Sequence, residues 1–116
     1  MRIGSIVMDC KDFDRMTRFW AEALHYAPRG PPEPGWVILR DPTGRGPNVS
    51  INRDPDLDTR GYRLHLDLYT EEQEKEIQRL IGLGATVHRP AEAGDDFVVL
   101  ADPEGNLFCV VDTKGR

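Results

Sequence analysis

A chain of 116 residues, 39% of them hydrophobic, can bury one modest core and is too short for two independent ones. Fifteen Lys and Arg against twenty Asp and Glu leave a formal charge of −5 with no basic block, which excludes the phosphate-neutralising footprint of a nucleic-acid binder. Cys10 and Cys109 make neither a disulfide framework nor a zinc ribbon, and no stretch has the apolar length of a signal-peptide core or membrane span, so a cytoplasmic protein with no membrane partner is expected.

Residues 3–9 are rich in β-branched side chains and predict a strand. Asp12 then caps a helix on which Phe13, Met16, Phe19, Trp20, Ala23 and Leu24 make one broad apolar stripe for packing. The stretch "HYAPRGPPEPG" holds four prolines and two glycines and cannot continue that helix. Strands follow at residues 36–40 and 48–52, joined by the turn "DPTGRGP", and "RDPDLDTRG" is a polar connection.

The pattern then begins again. Residues 63–69, "RLHLDLY", alternate with Leu64, Leu66 and Leu68 on a face toward a helix and His65, Asp67 and Tyr69 on the other. Thr70 and Gln73 have capping-box spacing, and acidic residues crowd the first turn where the helix dipole favours them. Ile77, Leu80 and Ile81 supply this helix's apolar face, Gly82 and Gly84 end it, and "EEQEKE" is its solvated side. Strands are predicted at residues 85–89, 97–101 and 107–112, with His25 and His88 exposed near element ends.

One offset links the two halves. Asp102, Pro103 and Gly105 follow Asp41, Pro42 and Gly44 by 61 positions, and Leu80 and Ile81 follow Phe19 and Trp20 by the same 61. The reading is an α+β fold of two tandem βαβββ modules, residues 1–56 and 61–116, in one domain. Their uncovered faces would form a curved mixed sheet around a cleft, a common home for small ligands.

"DFDRMTRFWAEAL", "HLDLYTEEQEKEIQRLIGLGA" and "LADPEGNLFCVVD" resemble the vicinal oxygen chelate superfamily, and most closely its small glyoxalase-like domain proteins. That superfamily spans glyoxalase I, extradiol dioxygenases, fosfomycin-resistance enzymes and bleomycin-resistance proteins. In its metal-using members, ligands come from the first and last strands of each module. Carried over by position, the resemblance puts Ser5, Ser50, His65 and Cys109 in those seats; Ser50 assumes a two-residue insertion in "GRGPNVS". A hard ion such as Mg²⁺ or Mn²⁺ wants carboxylates, and none of the four supplies one. Cys and His alone are too few for Zn²⁺ or Cu⁺ unless Asp67 or a substrate joins them. The expectation is therefore no metal and no cofactor. The resemblance also implies a homodimer.

Each candidate carries two readings. His65 either touches a ligand, as hydrogen-bond partner or general base, or merely bonds Asp67 or a backbone carbonyl. Asp67 either orients His65 or meets a cationic ligand, or it pairs with an arginine such as Arg63. Cys109 is a nucleophile only if a neighbour lowers its pKa, and otherwise a small buried hydrophobe. Trp36, Tyr69 and Phe97 either line the cleft or pack in the core. Asn48, Ser50 and Asn52 form a polar row that is either solvated edge or pocket lining.

The favoured function is a small-molecule binder of the glyoxalase/bleomycin-resistance kind that works without a catalytic metal, through Ser5, Trp36, Asn48, Ser50, Asn52, His65, Asp67, Tyr69 and Cys109. The alternative is a lyase or other enzyme of the glyoxalase/dioxygenase superfamily with His65 as acid/base or metal ligand. An interaction protein with a vestigial cleft is the third.

Overall fold

The computed structural model describes residues 1–31, 33–57 and 63–116. Part of the predicted polar connection, residues 58–61, lies outside them. The described residues form β1 (Arg2–Cys10), α1 (Phe13–Leu24), β2 (Ala27–Pro28), β3 (Trp36–Arg40), β4 (Asn48–Arg53), β5 (Leu64–Thr70), α2 (Gln73–Gly82), β6 (Thr86–Arg89), β7 (Phe97–Ala101) and β8 (Leu107–Asp112). This is the predicted βαβββ order, written twice. The two-residue β2 is an addition: within the Pro/Gly-rich stretch, Ala27 and Pro28 pair with Arg40 and Leu39 of β3.

The chain divides into two compact units, Ser5–Leu64 and Met1–Gly4 with His65–Arg116. In the first, the strand order is β2-β3-β4-β1, and β1 runs parallel to β4. In the second it is β6-β7-β8-β5, and β5 runs parallel to β8. The other neighbours are antiparallel. Both units are thus mixed α+β sheets in which the last strand returns beside the first.

In the Ser5–Leu64 unit, Cys10, Val37, Leu39, Val49 and Ile51 make a buried cluster, and α1 lays Phe13, Met16, Trp20 and Ala21 on it. Those helix positions fall at the spacing of a single stripe toward the sheet. Phe19, predicted to pack within that stripe, is 58% exposed, with its ring nearly perpendicular to that of Trp20 at 5.2 Å between centroids. Leu24 is exposed as well. The stripe is narrower than expected because one helix touching a flat sheet covers a single line of contact. Asp12 caps α1 by accepting from the Arg15 amide, and His25 ends it in the left-handed conformation at φ 57°.

The second unit has its own cluster: Ile77, Ala85, Leu100 and Val110, with Leu80, Val98 and Phe108 against it. The leucine face of β5 departs from expectation. Leu64 and Leu66 stay 58% and 38% exposed, because α2 lies over β7 and β8 and its core draws nothing from β5. The predicted capping box is also absent. Thr70 still belongs to β5, so Glu72 caps α2 without a side-chain bond, and the Thr70 hydroxyl accepts from the Glu72 amide. The Gln73 side chain instead donates through Nε2 to the carbonyls of Asp96 and Val110.

The repeated Asp-Pro-x-Gly is one turn built twice. The Asp41 carbonyl accepts from the Gly44 amide and the Asp102 carbonyl from Gly105, each at 2.9 Å. Both glycines have positive φ, 72° and 89°, where a side chain would be strained. The Asp41 carboxylate accepts from the amides of Thr43 and Gly46 and from the Thr43 hydroxyl. The Asp102 carboxylate accepts from the amides of Glu104 and Asn106 and from the Asn106 side chain. The side-chain bonds, from Thr43 and from Asn106 respectively, lead in holding both carboxyls below their ordinary pKa.

A depressed carboxylate adds stability above its unfolded pKa and loses it as pH falls through the folded value. Thermal unfolding should therefore show the melting temperature dropping below about pH 4. The double variant Asp41→Ala/Asp102→Ala should be less stable at neutral pH and flatter across that acid window. An unchanged acid slope would remove these turns as its source.

Candidate functional site

The strand registers decide which side chains share a face. In the first unit Val7 stands opposite Ser50, and in the second Asp67 stands opposite Cys109. Ser5 lies two residues before Val7, and His65 two before Asp67. His65 is therefore to Cys109 what Ser5 is to Ser50. The turn before β4 spans residues 41–47 and that before β8 spans 102–106, so the first repeat carries the two extra residues.

In the Ser5–Leu64 unit, the face away from α1 carries Ser5, Val7 and Asp9 from β1 beside Asn48, Ser50 and Asn52 from β4. Ser5 and Ser50 are both buried, and their hydroxyl oxygens are hydrogen-bonded at 2.6 Å. Asn48 and Asn52 are half-buried, so the polar row is not a solvated edge. Asp9, which sequence reasoning passed over, is buried on this face too. Trp36 pairs with Asn52 but is 44% exposed, and it borders a hollow of about 150 Å³ with Arg29, Glu33 and Ile38.

In the other unit, the face away from α2 carries His65, Asp67 and Tyr69 from β5, Cys109 and Val111 from β8, and Phe97 and Val99 from β7. One ligating atom from each of His65, Asp67 and Cys109 lies within 4.8 Å of the other two, and all three residues are half-buried. His65 Nε2 is 3.4 Å from Asp67 Oδ1, so Asp67 faces His65 rather than the suggested Arg63. His65 Nδ1 is buried and has no hydrogen-bond partner.

Cys109 is not an activated nucleophile. Its thiol is pushed up to about 12, first by burial and then by the charge of Asp67 and a hydrogen bond with it, while Arg89 opposes them. Cys10 is raised as well, mainly by burial, with the charges of Asp9 and Asp12 adding to it.

The two aromatic side chains of this face each carry a cation. The Arg2 guanidinium sits 5.4 Å from the Tyr69 ring centre, and that of Arg89 sits 5.0 Å from the Phe97 ring centre. Tyr69 also lies against the Gly4 backbone so closely that a Cβ there would fall 2.2 Å from its ring. Neither arginine is marked in the sequence. Arg89 ends a strand just before a proline, and only the fold turns it toward Phe97.

Two hydroxyls bonded to each other supply no charge, so a carboxylate-seeking divalent ion does not fit that pair.

Two βαβββ repeats, each closing its last strand beside its first and placing polar residues on that pair, define a protein of the vicinal oxygen chelate superfamily. The sequence matches the Glyoxalase-like domain family over residues 5–111, and the chain belongs to that family. The fold is shared with a hypothetical protein of Bacillus halodurans C-125, at TM-score 0.73 and 16% identity over 99% of this chain and 96% of that one. It is shared with a variant methylmalonyl-CoA epimerase of Streptomyces coelicolor in complex with 2-nitronate-propionyl-CoA, at 0.68 and 16% over 100% and 99%. A glyoxalase/bleomycin resistance protein/dioxygenase superfamily member of Vibrio splendidus 12B01 gives 0.63 and 14% over 91% and 94%. At such identities the likeness is one of fold. No curated protein sequence matches the chain.

Two outcomes follow from the site's geometry. Ser5→Ala should destabilise the protein by about 1–3 kcal/mol in denaturant unfolding, because it strands the buried Ser50 hydroxyl; Ser5→Ala/Ser50→Ala should cost less than the sum of the single changes. In a Cys10→Ala background, Cys109 should react sluggishly with iodoacetamide at neutral pH. Asp67→Asn should speed that reaction by lowering the thiol pKa. Alkylation of the wild-type thiol at the rate of free cysteine would contradict the assigned surroundings.

Proposed function

We propose that this protein binds a small molecule on the sheet face bearing His65, Asp67, Tyr69, Phe97 and Cys109. The observation that carries the reading is His65 Nδ1, a buried ring nitrogen without a partner on a half-buried face. Such an atom costs stability unless something meets it, and native proteins rarely keep one. With Nε2 toward the Asp67 carboxylate, a neutral imidazole holds its proton there and offers Nδ1 as an acceptor. The preferred ligand is thus a molecule with a hydrogen-bond donor and an apolar body, the latter resting on Val99, Val111 and the aromatic rings. This reading does not require a hard metal ion.

A second reading is favoured by the same pair. A carboxylate 3.4 Å from one imidazole nitrogen orients the ring, leaving the other nitrogen to take a proton from a bound substrate. That would make the protein an enzyme with His65 as general base and Asp67 as its positioning residue. The methylmalonyl-CoA epimerases that share its fold act by name on methylmalonyl-CoA, which makes epimerase-type proton abstraction the reaction to try first.

A thermal-shift screen of small metabolites and natural products decides the first reading. Stabilising compounds should lose most of their effect in His65→Ala and in Asp67→Asn, while both variants still unfold cooperatively. Compounds that stabilise all three proteins equally would place the site elsewhere.

A further inference from the structure

We infer that the molecule held on this face is a carboxylic acid and that Arg89 selects it by pairing with the carboxylate. Arg89 thereby adds the chemical class of the ligand to the small-molecule reading above, on which this assignment rests.

Plain alternation would put Arg89 on the wrong side of the sheet. Val87 pairs with Leu100, so an unbroken β6–β7 ladder would set Arg89 opposite Val98, which packs against the buried cluster. The ladder is broken instead. Its register shifts between Val87 and Arg89, and Arg89 pairs with Val99. The extra residue, His88, turns Arg89 onto the face of the site, which is how a bulge re-aims a side chain. Val99 in turn pairs with Cys109, and Cys109 with Asp67, so Arg89, Val99, Cys109 and Asp67 make one row across four strands. Arg89 is half-buried there, whereas Thr86, Val87 and His88 before it are exposed.

This face is polar at both ends and apolar between. His65 and Asp67 stand at the β5 end and Arg89 at the β6 end, with Val99, Val111 and Phe97 as the floor. β5 and β6 are three strand spacings apart, about 14 Å at the backbone. A ligand on that floor meets both ends only with polar groups at opposite ends of its body. Charge fixes its direction: Asp67 repels an anionic group and His65 Nδ1 takes a donor, while the guanidinium attracts the anion.

Arg89 is set for this contact. Its guanidinium lies 5.0 Å from the Phe97 ring centre, and a guanidinium stacked on a ring keeps edge N–H groups to point at an acceptor. Glu92 and Asp95 stand 3.7 and 3.6 Å from Arg89 Nη1, beyond hydrogen-bond length. The planar fork matches the two oxygens of a carboxylate. One cation amid Asp67, Glu92 and Asp95 balances a single negative charge, so a dianionic phosphate fits less well. The ligand class is a monocarboxylic acid with an aliphatic or aromatic body and a hydroxyl or amide donor at its far end.

The test uses the full chain and a panel of hydroxy acids, 3-(4-hydroxyphenyl)propanoate and 6-hydroxyhexanoate among them, each paired with its neutral primary amide. Thermal shift finds the stabilising members and calorimetry measures their affinities. Acids should bind about 10–100-fold more tightly than their amides, the worth of a charge-assisted hydrogen bond. High salt should narrow that gap in the wild type, which needs no variant to fold. Arg89→Met, which keeps an unbranched stem over Phe97, should bring the ratio close to one, and Arg89→Lys should keep part of it. Ligands that depend on His65 but bind equally as acid and amide, or whose acid preference survives Arg89→Met, overturn the role of Arg89 and leave the small-molecule reading intact. An acid preference that Arg89→Met abolishes but His65→Ala leaves untouched overturns the reading built on His65 and keeps the anion contact. If no member of the panel stabilises the protein, the carboxylic-acid class is wrong.

Discussion

A parallel strand pair cannot be closed by a tight turn, and that constraint shapes each half of this protein. To lay its last strand beside its first, each repeat sends the chain across a helix and through two more strands. The return is then fixed by an Asp-Pro-x-Gly turn whose carboxylate gathers two amides and one side chain. Where that turn delivers the strand decides the register, and a slip of one residue would send Ser50 or Cys109 to the helix side. Every polar pair of interest depends on it.

Much of the architecture was legible because it was written twice. The 61-residue offset ties turns to turns and helices to helices, and a repeat of two βαβββ units follows from the order of periodicities alone. Strand limits at residues 97–101 and 107–112 coincide with the observed ones, since β-branched runs bounded by turn residues leave little freedom. What misled was local pattern read without its tertiary partner. Phe19 sits at helical spacing but stays exposed, and Leu64 and Leu66 alternate cleanly yet lie outside the core cluster that α2 covers. Thr70 and Gln73 match a capping box by count, yet Thr70 is still engaged in the sheet, paired with Asp112.

The site was legible in part. Parity put His65, Asp67 and Cys109 on one face, and the two-residue difference between the turns made Ser50 the counterpart of Cys109. Distance was beyond reach. Alternation says that two side chains share a face and not that their polar atoms converge, so the joining of Asp67 to both His65 and Cys109 emerges only from the β5–β8 register. Arg2 and Arg89 were invisible for a related reason. Their stems are long, and which ring each lies over is set by the neighbouring strand rather than by spacing.

The two seats of like position have come to hold opposite kinds of chemistry. One is a pair of hydroxyls that satisfy each other and ask nothing of the outside. The other gathers an imidazole, a carboxylate and a thiol with a lone pair left over. Each set is supplied entirely by one repeat. A duplicated chain of this design can keep one copy as a self-contained rivet and spend the other on trial, which is how a tandem scaffold explores new reactivity while its framework stays put.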